Sequence, residues 1–289
     1  MSNVDFLCLG APKSGTTSLH DLLIQHPDIF LPSEKDFHYF DDDKVYARGL
    51  DWYLDYFNSR TIEKIAGDVA ANYLYADPAR VVESLGKDLK FIIIMRHPAD
   101  RAYSYYLHFK RRLSLHGTFE ECISIDYQEP DSEVSYPYEP IVKWSKYNEY
   151  IRTFLQYFDK EQFLFLTFES FVQDQSKTLK EIEEFLSVDH FSGYQFASSN
   201  RAFKPKSKQV NALLYKRNPI KKVLRKMLPN FESRHRLKQF IIKLNSKKAD
   251  DNEFKLSADL RMALTKAEFE NSILDLKELT GLDLLEWKS

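Results

Sequence analysis

Two short segments of this chain carry residue types suited to gripping anions. In LCLGAPKSGTTSLHDLL, residues 7–23, Gly10, Lys13 and Gly15 frame a loop that also holds Ser14, Thr16, Thr17 and Ser18. A glycine-bearing loop between an apolar run and a helical pattern lets consecutive backbone N–H groups close around an anion, and the helix N-terminus adds partial positive charge. Lys13 brings a full charge, and the four hydroxyls bring donors for phosphate-like oxygens. In MRHPADRAYSYY, residues 95–106, Arg96 ends a β-branched run and Ser104 follows eight residues later. An arginine at a strand's carboxyl end and a hydroxyl on the next segment suit a second phosphate. The order Gly10, Lys13, Gly15 differs from the nucleotide triphosphatase loop, in which the lysine follows the second glycine and a metal-binding hydroxyl follows the lysine. The spacing favours an anion whose transfer needs no metal.

These groups need elements that position them. The run Phe6 to Leu9 ends at Gly10, and Leu19, Leu22, Leu23 and His26 recur at helical spacing, which predicts strand, loop and helix. KFIIIMR, residues 90–96, reads as a strand buried on both faces, followed by a helix carrying Tyr103, Tyr106 and Leu107. QFLFLTFE, residues 162–169, is a third strand. A helix with Tyr147, Tyr150, Ile151, Phe154 and Phe158 on one stripe precedes it, and one with Leu179, Ile182, Phe185 and Leu186 follows. This alternation predicts an α/β, P-loop-like three-layer fold with a central mostly parallel sheet flanked by helices, forming one domain over residues 1–289. Residues 255–279 are predicted helical, with Gly281 as C-cap.

Composition supports a packed core: of 289 residues, 43% are hydrophobic and 15% aromatic. A formal net charge of −2 gives no global attraction to nucleic acid or an anionic membrane. The charge is uneven, however. Residues 201–248 hold 16 lysines and arginines against the single acid Glu232, a net +15 that leaves −17 for the remainder. With Pro205, Pro219, Pro229 and amphipathic pieces such as IKKVLRKML, this stretch reads as loops and helices flanking the sheet. Cys8 and Cys122 form neither a disulfide framework nor a metal-ligand spacing and read as core thiols. The opening MSNVDFLCLGAPK lacks a leader pattern, and no apolar run approaches the roughly 18–20 residues needed to span a bilayer, so a cytoplasmic location is expected.

The two anion-gripping segments resemble the sulfotransferase family, whose members carry a P-K-S/T-G-T-T loop and a later R-x-P-x-x-R-x-x-S segment. FLPSEKDFHYFD, GLDWYLDYF, GDVAANYLY, FLFLTFESFVQD and LKELTGLDLLEW look like bacterial sulfotransferases related to the heparan sulfate N- and 3-O-sulfotransferase domains. The resemblance covers most of the chain and is strongest over residues 5–110. It implies 3′-phosphoadenosine 5′-phosphosulfate as donor, adenosine 3′,5′-bisphosphate as product and no metal. By that resemblance Lys13 contacts the bridging oxygen of the phosphosulfate, the 14–18 loop cradles it, and Arg96 with Ser104 holds the 3′-phosphate. KDFHYF puts Asp36 where relatives carry the glutamate base of K-E-x-x-F-F, one methylene shorter. Asp68, His38 and His108 are further candidates, with His38 the better placed histidine; Val69 replaces a lysine of several relatives. In NRAFKPKSK, Lys206 stands at the arginine of an N-x-x-x-x-P-R-S stretch.

The implied acceptor is a hydroxyl or amine of a carbohydrate, phenol or other small-molecule alcohol, lined by EKDFHYFDDD and residues 108–140. Three other readings stay open. A kinase-like phosphoryl transferase requires a metal-holding hydroxyl and strand-end acid, and here the strand ends in Arg96. A catalytically silent nucleotide-binding relative would explain Asp36 and Val69. A nucleic-acid module would use the basic stretch, whose aromatics are only Phe203, Tyr215, Phe231 and Phe240. No sequence feature sets an oligomeric state.

Overall fold

A computed structural model describes residues 4–111, 117–124, 141–196, 203–215, 240–242, 244–248 and 255–287. The chain divides into two compact units. The first comprises Met1–Arg101, Trp144–Ser198 and Ala258–Ser289, and the second Ala102–Lys143 and Ser199–Ser257.

The first unit is built on a five-stranded parallel sheet: β1 (Phe6–Gly10), β2 (Ile29–Phe30), β3 (Ile65–Val69), β4 (Lys90–Met95) and β5 (Phe163–Thr167), in the order β2-β3-β1-β4-β5. Alternation along the strands explains its burial on both faces. Leu7 and Leu9 of β1 join Phe91, Ile93 and Met95 of β4 in one apolar cluster, while Phe6 and Cys8 join Ile92 and Ile94 in the other. Helix α1 (Thr16–Leu23) follows β1, with Leu19, Leu22 and Leu23 in the second cluster. It ends before His26, so the predicted fourth member of the stripe belongs to the turn; there His26 Nε2 lies 2.9 Å from the Asp189 carbonyl. Helices α2 (Asp43–Tyr46), α3 (Leu50–Leu54) and α4 (Pro78–Leu85) lie in the β2 to β4 region of the chain, and α4 is capped by the Asp77 side chain.

The strand order reverses at β1, because the chain fills the β3–β2 side first and then the β4–β5 side. That reversal opens a crevice at the strands' carboxyl ends, where α/β sheets bind ligands. β2 and β3 carry no long β-branched run, which is why the sequence pattern passed over them. Helix α5 (Pro98–Arg111) follows β4 and runs from the first unit into the second. The second unit also holds α6 (Phe119–Ser124). Helix α7 (Tyr147–Phe154) is shorter than its apolar stripe: Phe158 lies past its end, buried with Phe91 at 4.6 Å between ring centroids. Helices α8 (Phe168–Gln173) and α9 (Gln175–Leu186) follow β5.

In the basic stretch the second unit forms an antiparallel pair, β6 (Phe203–Pro205) with β7 (Ser246–Lys248), and helix α10 (Lys208–Tyr215), adding strands to the loops and helices expected there. IKKVLRKML lies outside the described residues. In the first unit, the predicted carboxyl-terminal helix is α11 (Ala258–Leu264), a π-turn (Thr265–Phe269) and α12 (Glu270–Thr280), and Gly281 caps it in the left-handed conformation, as expected. Cys8 and Cys122 are buried and form no disulfide; burial pushes the Cys8 thiol up to about 12. Among the described residues no helix is long and apolar enough to cross a membrane.

Candidate active site

The loop after β1 explains its two glycines by close approach. Gly10 has φ +137, and a Cβ there would stand 2.3 Å from the Ala71 carbonyl oxygen. Gly15 has φ +94, and a Cβ there would stand 2.9 Å from the Phe168 ring. Gly15 is also the N-cap of α1: no side chain caps that helix and its first turn holds no acid. Its leading N–H groups are therefore presented at the positive end of the helix dipole. Ser14 is buried alongside the phenol of Tyr147, Thr16 is buried, Thr17 is exposed, and Lys13 and Ser18 are half-buried.

The neighbouring strand end carries the second predicted anion group. The Ala11 amide donates to the Ile94 carbonyl (2.8 Å), joining the loop to the end of β4, and Arg96 follows that strand directly. The Arg96 guanidinium lies over the Phe168 ring, 5.0 Å from its centroid, and its carbonyl accepts from the Tyr147 hydroxyl at 2.9 Å. The sequence pattern did not single out Arg101, although it is the second arginine of the same motif. Fully buried, it donates through Nε to the Pro12 carbonyl (3.3 Å) and through Nη1 to Ser145 Oγ (3.0 Å), bracing the loop from behind. Ser104 lies farther along α5, in the second unit. Lys206 is in that unit too, where Nζ donates to the Leu244 carbonyl at 2.9 Å.

Two of the candidate bases, Asp36 and Asp68, lie at the end of β3. The Ala70 amide donates to the Cys8 carbonyl and the Asp36 amide to the Val69 carbonyl, which seats residues 36 and 70–71 beside the end of β1. Asp36 uses both carboxylate oxygens: Oδ1 accepts from the Ala71 amide (2.8 Å), and Oδ2 pairs with Lys35 Nζ (2.8 Å). His38 is half-exposed, with Nδ1 2.8 Å from Asp41 Oδ2. Asp68 is buried and accepts from Tyr53 (3.0 Å) and Tyr73 (2.9 Å). Burial raises its carboxyl to about 7, against the lowering effect of the two phenols. His108 lies on the second-unit part of α5. Of the expected acceptor segment, residues 112–116 and 125–140 lie outside the described residues.

Backbone conformation marks the same residues. Among the described residues, four non-glycine positions have positive φ: Lys13 (72°), Asp36 (58°), His38 (58°) and Ser187 (62°). Three of these are candidate catalytic residues, and the left-handed region costs a non-glycine residue about 1 kcal/mol or more, so it persists only where the surroundings enforce it.

A parallel α/β sheet with an uncapped loop-to-helix turn after β1 and an arginine after the adjacent β4 defines a fold of the P-loop-like class. A sulfotransferase domain model matches residues 3–239, and the chain belongs to the sulfotransferase family. It is 31% identical over 203 residues to mouse (Mus musculus) bifunctional heparan sulfate N-deacetylase/N-sulfotransferase 4, a match covering 66% of this chain and 23% of that protein. Against human (Homo sapiens) bifunctional heparan sulfate N-deacetylase/N-sulfotransferase 3 it is 33% identical over 193 residues, covering 63% and 22%. The matched region is thus under a quarter of either relative's length. The crystal structure of a sulfotransferase from Alicyclobacillus acidocaldarius shares the fold, with a TM-score of 0.70 at 22% identity over 100% of both chains.

Proposed function

We propose that residues 1–289 act as one sulfotransferase domain that moves a sulfuryl group from 3′-phosphoadenosine 5′-phosphosulfate to a hydroxyl or amine of a carbohydrate or small-molecule alcohol. The observation that carries this reading is the uncapped start of α1 behind Lys13, beside the strand end that bears Arg96. The donor fits these residues: it brings a 5′-phosphosulfate for the 14–18 loop and a 3′-phosphate for a second cationic group. When bound, it supplies an activated sulfuryl group on a phosphate leaving group.

Lys13 neutralises charge growing on the bridging oxygen as the S–O bond breaks, and the amides of the 14–18 loop hold the phosphate oxygens. Arg96 and Ser104 hold the 3′-phosphate, which fixes the donor's far end and aligns the sulfur with the acceptor. Asp36 accepts the acceptor's proton, and its contact with Lys35 orients the carboxylate. His38 and Asp68 are the alternative bases. Lys206 adds positive charge from the late basic stretch. The family match spans segments of both compact units, which supports treating them as one domain. Two buried cysteines that form no disulfide fit a reducing, cytoplasmic setting of a bacterial-type enzyme.

The test is calorimetry with adenosine 3′,5′-bisphosphate in chelator, alongside transfer of labelled sulfuryl to a panel of sugar and phenol acceptors. Metal-independent binding with weak ATP binding, together with labelled product, supports the reading. Magnesium-dependent ATP binding would favour the kinase-like alternative, and bisphosphate binding without transfer or donor hydrolysis would favour the silent relative.

A further inference from the structure

Glu169 stands in the first turn of α8, and its two carboxylate oxygens divide between two parts of the chain. Oε1 accepts from the His97 backbone amide at 3.0 Å. Oε2 accepts from the Trp287 indole N–H at 3.0 Å. His97 is the residue immediately after Arg96, and Trp287 comes from the turn that follows α12. Both are buried, 1% and 2% exposed, and their rings meet edge to face at 5.9 Å. Burial pushes the His97 imidazole down to about 4, so that ring is neutral at ordinary pH and no cation there competes for the carboxylate.

The clasp surrounds the strand-end arginine. Phe168, next to Glu169, supplies the ring under the Arg96 guanidinium and blocks space beside Gly15. Tyr147, whose ring lies 6.5 Å from that of Trp287, donates to the Arg96 carbonyl. A second tie, from the Ser170 hydroxyl to Glu286 at 3.2 Å, joins the same helix turn to the same carboxyl-terminal turn. The peptide group that follows Arg96 is thus held at both of its polar atoms, by Tyr147 at the carbonyl and by Glu169 at the amide. Hydrogen bonds to an ionised carboxylate are roughly twice as strong as neutral ones, and a binding group works only when its supporting shell is locked.

We propose that Glu169, with Trp287, is a positioning residue for donor binding: it holds the His97 amide so that Arg96 meets the donor's 3′-phosphate in a fixed orientation. This rests on the assignment of Arg96 to that phosphate. Glu169→Gln replaces one accepting oxygen with an NH2 group, leaving either the His97 amide or the indole N–H without its acceptor. Trp287→Phe removes the indole donor and keeps most of the ring.

The experiment compares binding of adenosine 3′,5′-bisphosphate and adenosine 5′-monophosphate by calorimetry in wild type, Glu169→Gln and Trp287→Phe. The wild type should prefer the bisphosphate. Glu169→Gln should weaken bisphosphate binding about tenfold, equivalent to about 1.4 kcal/mol, and leave monophosphate binding within about twofold. Its kcat at saturating donor should stay within about twofold. A merely structural loosening would weaken both nucleotides together. Trp287→Phe should shift the same ratio about threefold and carries the test if Glu169→Gln does not fold. A folded Glu169→Gln with an unchanged nucleotide ratio overturns the clasp while leaving the role of Arg96 intact. A wild type that shows no preference for the 3′-phosphate overturns the role of Arg96 and the clasp with it.

Discussion

On the β4–β5 side of the crevice, hydrogen bonds fix the backbone around the cations: Tyr147 donates to the Arg96 carbonyl, Arg101 to the Pro12 carbonyl, and Glu169 takes the amide after Arg96. On the β3 side, the candidate bases themselves are engaged: Asp36 with Lys35 and the Ala71 amide, His38 with Asp41, and Asp68 with two tyrosines. A site for a donor of fixed shape gains from a braced backbone, because binding then costs little reorganisation. A proton acceptor needs a tuned environment, and pairing sets how readily a carboxylate holds a proton. The contrast teaches that on the proposed anion side distant side chains hold the backbone behind the cations, whereas on the proposed proton-transfer side they meet the candidate groups directly.

The strongest way to break that comparison is Lys13→Ala. With the brace intact, the variant should fold normally and lose roughly a thousandfold in kcat for labelled sulfuryl transfer, the upper range for removing one group that stabilises a leaving oxygen. A loss below tenfold would mean that the loop amides carry the charge alone. Next comes Asp36→Asn, expected to slow transfer about a hundredfold at saturating donor without changing bisphosphate affinity. The matching Asp68→Asn should keep the rate within about tenfold. The reverse pattern would move proton acceptance to the deeper carboxylate.

Gly15→Ala probes the anion side through stability. A positive φ combined with a 2.9 Å approach to Phe168 should cost about 2 kcal/mol, seen as a melting temperature several degrees lower. An unchanged melting temperature would show that Phe168 yields. A last probe concerns Asp68 and pH. Its carboxyl is held at about 7 when folded and near 4 when unfolded, so folding takes up a proton between those values. Its contribution to stability is greatest below about pH 4 and declines as pH rises through about 7. Melting curves from pH 4 to 8 should therefore show Asp68→Asn gaining on wild type as pH rises; parallel curves would place the Asp68 carboxyl near its ordinary value.

The sequence order of apolar runs was enough to read β1, β4 and β5, since each is an unbroken hydrophobic stretch of strand length. β2 has two residues and β3 is IAGDV, too short or too mixed to stand out without its neighbours. The site divides similarly. Lys13 and Arg96 were legible because a loop's small residues and a strand-end arginine are local signals. Arg101, Tyr147, Glu169 and Trp287 gave no such signal; a buried arginine inside a helix or a tryptophan in the closing segment reads as ordinary packing until its partner is known.

What the chain determined by itself is the local chemistry: a glycine-framed loop that leaves amides uncapped, hydrophobic runs that can only be buried strands, and the family they mark. Tertiary structure decided which acid is raised by burial, which are paired, and how the closing tryptophan shares one carboxylate with the amide after Arg96. The physical reason is range. Backbone conformation and helix dipoles act over a few residues, whereas desolvation and side-chain pairing depend on groups that the fold brings together from 118 positions apart, as it does Glu169 and Trp287.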